Sequence, residues 1–280
     1  MNNQFQQEYQ GNWLKFSFIT VGLFILGSFI AAPFYWLIAQ NPVKDILMVA
    51  IAFLAESLLL LVFVLKVEKN DLTTIGIKKL NIGSNLMRGG SFAFVFMLLI
   101  IVGLTAMHMI ELNLNIMHAA LIVNVLLTFP AFCIQATTEE LFFRGYLQTR
   151  LTKRYGDVFA IIVSSIMFML VHVTNPNITL IGIANIFLAG IFLSLVYRLD
   201  GSIWSVAGFH IIWNFVQNSL YGINVSGNSL GLSIMNTHYL KDNYLTGGSM
   251  GIEGSIFVTG CFVIIILYLV RKIKVQKIQS

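Results

Sequence analysis

Continuous apolar runs, each long enough to cross a bilayer, recur along the whole of this chain and are separated by short polar stretches. Eight spans can be drawn, at about 16–39, 46–65, 90–109, 119–138, 158–173, 179–197, 203–220 and 255–270. The fifth and eighth are short for a hydrocarbon core of ~30 Å. The polar punctuation between runs fits helix ends and turns. Asn175-Pro176-Asn177 and Asp200-Gly201-Ser202 read as tight turns, with Ser202 as N-cap of the seventh helix. Segment 144–157 has two readings. In one it is an interfacial helix, with Leu147 and Leu151 on one face and Arg150, Lys153 and Arg154 toward anionic headgroups; in the other it is a solvated connector. The loop 221–254, polar and rich in Gly and Asn, reads as a lid or as a disordered connection.

Composition sharpens the class. Apolar residues make up 57% of the chain, charged residues 10%, and the mean hydropathy is +0.82. Soluble domains average roughly 25% charged residues, so a water-soluble fold is excluded. The pattern predicts an all-α, polytopic transmembrane helical bundle of about eight helices, forming a single integral membrane domain over residues 1–280. The first run is expected to be a retained helix rather than a removable signal. Its leader, Met1 to Trp13, holds no Lys or Arg, and the run is too long for a signal core.

The net charge of +5 raises nucleic acid as a partner, but the basic residues sit in short clusters between apolar runs, the pattern of membrane topology. Fifteen of the 17 fall in the leader, loops 2–3, 4–5 and 6–7, and the tail, leaving Lys44 and Lys241 on the other side. This bias predicts both termini in the cytoplasm. Cys133 and Cys261 stand alone in separate apolar runs, which supports neither a disulfide framework nor a cysteine zinc site.

Ionisable groups inside apolar runs are costly and point to chemistry. Glu139-Glu140 ends the fourth run, followed by Leu141-Phe142-Phe143-Arg144; His172 ends the fifth, four residues after Phe168; His210 and Asn214 share a face of the seventh; Glu56 sits in the second, without an assignable partner. Glu140 and Arg144 are i,i+4 with the acid first, the favoured order for an intrahelical pair. Glu139 points about 100° away, leaving its carboxylate for other work. A lone membrane His or Asn commonly bonds a neighbouring helix, but an acid, two imidazoles and an amide on three helices suit hydrolysis. The acid, alone or with a histidine, deprotonates water, and the other groups donate to an oxyanion. The same groups suit a divalent metal such as zinc, with His172 and His210 as candidate ligands. No HExxH pair is present. Glu111, His108, His118 and His238 fall at helix ends or in loops and read as solvated.

Glu139-Glu140-Leu141-Phe142-Phe143-Arg144, Phe168-x-x-x-His172 and His210-x-x-x-Asn214 resemble, in order, the three motifs of the CPBP intramembrane proteases, the CAAX prenyl protease and bacteriocin-processing (ABI) family. Asp200-Gly201-Ser202-Ile203-Trp204 is similar to the family's entry into the third-motif helix, and Gly247–Gly254 to an outer loop of bacterial members. The resemblance covers the core, 119–220. It implies an intramembrane endopeptidase in which Glu139 and His172 activate water, His210 and Asn214 hold the oxyanion, and Glu140 and Arg144 support the site. It also implies a membrane-associated peptide or protein substrate and, from the outer loop, a bacterial cell membrane. Bacterial peptide maturation, bacteriocin self-immunity or envelope signalling fits such a host better than prenylated substrates. Two other classes remain at this stage: a non-proteolytic membrane scaffold binding a regulator, and a proton-coupled transporter using Glu56, Glu139 and the histidines as a relay.

Overall fold

The structure, a computed structural model, describes residues 12–38, 43–241 and 244–279, with side chains to 275. The leader 1–11 and the end of the expected first span at 39 lie outside the described residues. The helices are α1 Trp13–Ala31, α2 Phe34–Leu37, α3 Lys44–Val62, α4 Ile82–Ala106, α5 Ala119–Glu140, α6 Thr149–Tyr155, α7 Asp157–Leu170, α8 Leu180–Asp200, α9 Ile203–Phe215 and α10 Ile256–Gln279. Wider π turns extend α3 over Phe63–Val67 and α9 over Val216–Leu220, and a third, Leu141–Gln148, joins α5 to α6. Six of the resulting helical stretches are long and apolar enough to cross a membrane. Shorter α7, and α9 with its π turn, occupy the fifth and seventh expected spans. The architecture is a polytopic all-α membrane bundle.

Local chemistry explains most boundaries. Asn12 caps α1 by accepting from the Lys15 amide, Thr179 caps α8 through the Gly182 amide, and Ser202 caps α9 through the Trp204 amide. Gly201, at φ +58°, ends α8 in the left-handed conformation that glycine adopts without steric cost.

One expectation is overturned. Segment 144–157 is neither an interfacial helix nor a solvated connector, because the fourth span continues without a break from Ala119 to Tyr155. Leu147, Leu151 and Arg150 are buried, and Arg150 Nη2 pairs with Glu68 Oε2 at 2.6 Å instead of meeting headgroups. Only Lys153 and Arg154 of that basic cluster stay exposed. The π turn redirects the side chains that follow it, which a reading at 3.6 residues per turn does not anticipate. Loop 221–254 is also more structured than a disordered connection. Its Met235–Tyr239 (β2) pairs antiparallel with Ile110–Leu114 (β1), Glu111 facing His238. His118, read as a solvated residue at a helix end, is exposed there and also caps α5 by accepting from the Leu121 amide at 3.2 Å.

Loops assigned to the same side by their charges touch one another. On the basic face, besides Arg150–Glu68, Arg198 pairs with Asp157 at 2.7 Å, Arg88 with Asp200 at 2.5 Å, and the Trp204 indole donates to the Lys78 carbonyl at 2.6 Å. On the opposite face β1 meets β2, Asn177 donates to the Gly227 carbonyl at 3.1 Å, and the Leu232 amide donates to Asn124 at 2.6 Å.

Between the two faces the bundle closes on an aromatic core. Phe96, Phe192, Phe209, Trp213 and Phe262 are buried together, with the Phe209 and Trp213 rings stacked at 5.7 Å. Helices α4 and α9 come close enough for backbone contact. A Cβ on Gly89 would overlap the Ser205 carbonyl, and one on Gly208 would overlap Leu86. Small residues at such crossings are a general device of membrane helix packing. The outer surface, by contrast, exposes large apolar side chains such as Phe18, Phe29, Leu99 and Ile264, as a lipid-facing surface requires.

Candidate functional site

Glu139 and Glu140 are the last residues of α5, both buried, at the point where the helix widens into its π turn. Glu140 Oε1 accepts from Arg144 Nη1 at 3.0 Å, and both side chains are fully buried. The same oxygen lies 2.8 Å from His210 Nδ1. A carboxylate only accepts, so Nδ1 carries the proton and Nε2 faces the other way. Arg144 also donates to the Gly190 carbonyl at 3.3 Å and stacks 4.3 Å above the Phe168 ring. Glu140 therefore holds one cation and one imidazole at once, and Arg144 locks α8 and α7 against the site.

His172 follows α7, and its Nδ1 lies 2.7 Å from the Phe168 carbonyl. That carbonyl also only accepts, so the Nδ1 proton is held there and Nε2 presents a lone pair. This Nε2 is 3.9 Å from Glu139 Oε2, and His210 Nε2 approaches the same oxygen at 3.8 Å. Both distances are too long for direct hydrogen bonds, and Oε2 is buried without any hydrogen-bond partner. The other oxygen, Oε1, accepts from Gln135 Nε2 at 2.9 Å.

Gln135 was not anticipated. It lies i−4 from Glu139 on the same face of α5, a spacing visible in the sequence. Because Glu139 needs a donor, the Gln135 amide turns its nitrogen there and its oxygen toward Asn214, whose Nδ2 donates at 3.2 Å. One amide thus orients both the acid and the third-motif carboxamide, and Asn214 keeps a second N–H for another acceptor.

These groups line a cavity of about 490 Å³ together with Phe24, Phe132, Phe168, Asn185, Asn218 and Glu253. Glu253 too was unforeseen as a site residue, because it lies in the distant outer loop. Trp213 Nε1 donates to its Oε1 at 3.1 Å, and the Ser226 amide donates to Oε2. Asn185 fixes the loop by donating to the carbonyls of Glu253 and Ser255, each at 2.8 Å. Burial holds the Glu253 carboxyl above its ordinary range despite these donors.

The structure brings Glu139, His172, His210 and Asn214 to one cavity, with Phe168 in its wall and Glu140 and Arg144 behind. Glu56 does not line it; buried in α3, it accepts from Ser28 Oγ at 2.7 Å and abuts Gly27. Among the described residues no group of three or more His, Cys, Asp or Glu side chains is arranged to hold a metal ion.

The fold and this cavity define a membrane-embedded helical protein with a buried acid–imidazole centre. Residues 120–216, which carry all three motifs, match the family model described as Type II CAAX prenyl endopeptidase Rce1-like, within the CAAX protease family that the motifs resemble. No curated protein and no solved structure matches the chain.

Proposed function

We propose that this protein is an intramembrane endopeptidase whose own side chains activate the attacking water. The observation that carries the reading is Glu139 Oε2, buried, without a hydrogen-bond partner, and 3.8–3.9 Å from two imidazole nitrogens. A water held there meets one carboxylate and the lone pair of His172 Nε2. The water proton passes to that pair as oxygen bonds to the scissile carbonyl carbon. The carbonyl oxygen becomes an oxyanion and accepts from the second Asn214 N–H. His210, its Nδ1 proton held by Glu140, donates from Nε2 only when doubly protonated, and Glu139 and Glu140 balance that charge. Collapse breaks the C–N bond, and the proton taken from water goes to the leaving nitrogen. Apolar walls around the cavity strengthen each of these contacts by keeping the local dielectric low.

The family match supports a membrane protease; substrate and host rest on further argument. We take the substrate to be a membrane-associated peptide or protein, and the setting to be a bacterial membrane with both termini inside, from the outer-loop resemblance and the basic-face bias. Comparing protein N-termini in membranes from cells carrying wild type or Glu139→Ala tests the proposal. A new N-terminus present only with wild type is expected. A phenotype that persists in stably expressed Glu139→Ala, His172→Ala and His210→Ala proteins would overturn it in favour of a scaffold. Metal content of the purified protein, measured by elemental analysis with and without a chelator, is expected to leave activity independent of bound zinc.

A further inference from the structure

A second cavity, of about 540 Å³, opens on the flank of the bundle between α4, α8, α9 and α10. Its interior is apolar, lined by Phe92, Phe192, Val196, Phe209 and Leu269, and its mouth at the basic face carries Arg88, Asp200, Ser205 and Lys272. The volume lies within the roughly 300–1,000 Å³ of small-ligand sites. An apolar shaft with a charged rim at the membrane surface has the shape of an amphiphile.

The rim has a sign. Arg88 Nη2 bonds both Asp200, at 2.5 Å, and Ser205 Oγ, at 2.8 Å, so the one acid there is matched. The Arg88 side chain nevertheless stays 60% exposed, and the bonds to Asp200 and Ser205 use Nη2 alone. Lys272 is exposed and makes no ion pair among the described residues. Two cations against one carboxylate leave the rim one positive charge in excess. The neighbouring Arg271 and Lys274 on α10 are exposed and do not line the cavity. Ile264 and Tyr268 on the open side are largely exposed, so the shaft is entered from lipid rather than from water.

We propose that this cavity holds a single anionic phospholipid from the leaflet on the basic side, its phosphate at Arg88 and Lys272 and one acyl chain between Phe92, Val196 and Leu269. Leu193 and Phe209 line both this cavity and the candidate catalytic one, and Phe209 immediately precedes His210. The chain thus packs against the back of a wall of the site. This inference stands whatever reaction the site performs.

The test uses full-length protein in detergent, titrated with dioleoyl phosphatidylglycerol or dioleoyl phosphatidylcholine and read by native mass spectrometry and thermal unfolding. One phosphatidylglycerol per chain is expected to be retained and to raise the unfolding temperature, with phosphatidylcholine doing neither. Lys272→Gln should weaken retention roughly fivefold, Lys274→Gln should leave it unchanged, and Leu269→Trp, which fills the shaft, should abolish it. Equal binding of the two lipids overturns the proposal. So does an equal loss in Lys274→Gln and Lys272→Gln, which would mean diffuse surface charge. Should Leu269→Trp fail to fold, Val196→Phe obstructs the same shaft, and unchanged retention there overturns it as well.

Discussion

Two adjacent carboxylates, one bond apart in the chain, sit in opposite circumstances. Glu140 is bound by Arg144 and His210, whereas Glu139 keeps one oxygen open to the cavity. Glu140→Gln therefore strands a fully buried guanidinium and should cost about 3–5 kcal/mol, visible as a lowered unfolding temperature in detergent. Glu139→Gln should unfold near wild type and lose hydrolysis. Equal stability of the two variants would contradict this division. Gln135→Leu should leave the fold intact but lower kcat about 10²-fold, since both Glu139 and Asn214 lose the amide that aims them. A third outcome concerns pH. With its carboxyl held above the ordinary 4.5, Glu253 keeps a proton in the folded chain over a range where the unfolded chain has lost it. Its stabilisation is complete below the ordinary value and declines as pH rises through the folded one. Unfolding temperature should fall across that window, and Glu253→Gln should flatten the slope. The Glu140–Arg144 pair was legible from i,i+4 spacing alone. Glu253 was not, because its partners Trp213 and Ser226 lie 40 and 27 residues away and nothing local marks the meeting.

At the level of helices, hydrophobic runs located the spans but misplaced their ends. The third begins at Ile82 rather than near 90, because the polar first turns of α4 pack on α9 instead of lying in a loop. The fourth runs on past Glu140, because its later basic residues find acids inside the protein, which no hydropathy average registers. Gly89 and Gly208 mark a close crossing of α4 and α9. Gly89→Ala should force α4 away from the Ser205 carbonyl and cost at least about 1–3 kcal/mol. Expression and unfolding temperature check this, with Gly83→Ala, where a Cβ meets open space, as the neutral comparison.

For the molecule as a whole, the charge count separated the loops into two groups, and ion pairs, hydrogen bonds and the β1–β2 pairing join loops within each group. A membrane-impermeant thiol reagent should therefore label Lys78→Cys and Lys153→Cys from one side of sealed vesicles and Asn236→Cys from the other. Labelling of all three from one side would overturn the assignment. The strand pairing that ties the loops of the far face was invisible beforehand, since β1 and β2 are short, lie more than a hundred residues apart, and neither has a hairpin turn to announce it.

That pairing carries a consequence for biosynthesis. Every motif residue has been translated by Asn214, yet β2 comes afterwards, as do Ser226 and Glu253, which line the cavity. A ribosome paused between those points carries a nascent chain that holds the motif residues but not yet the loop residues that also line the cavity, so the cavity is complete only after Glu253 has been made.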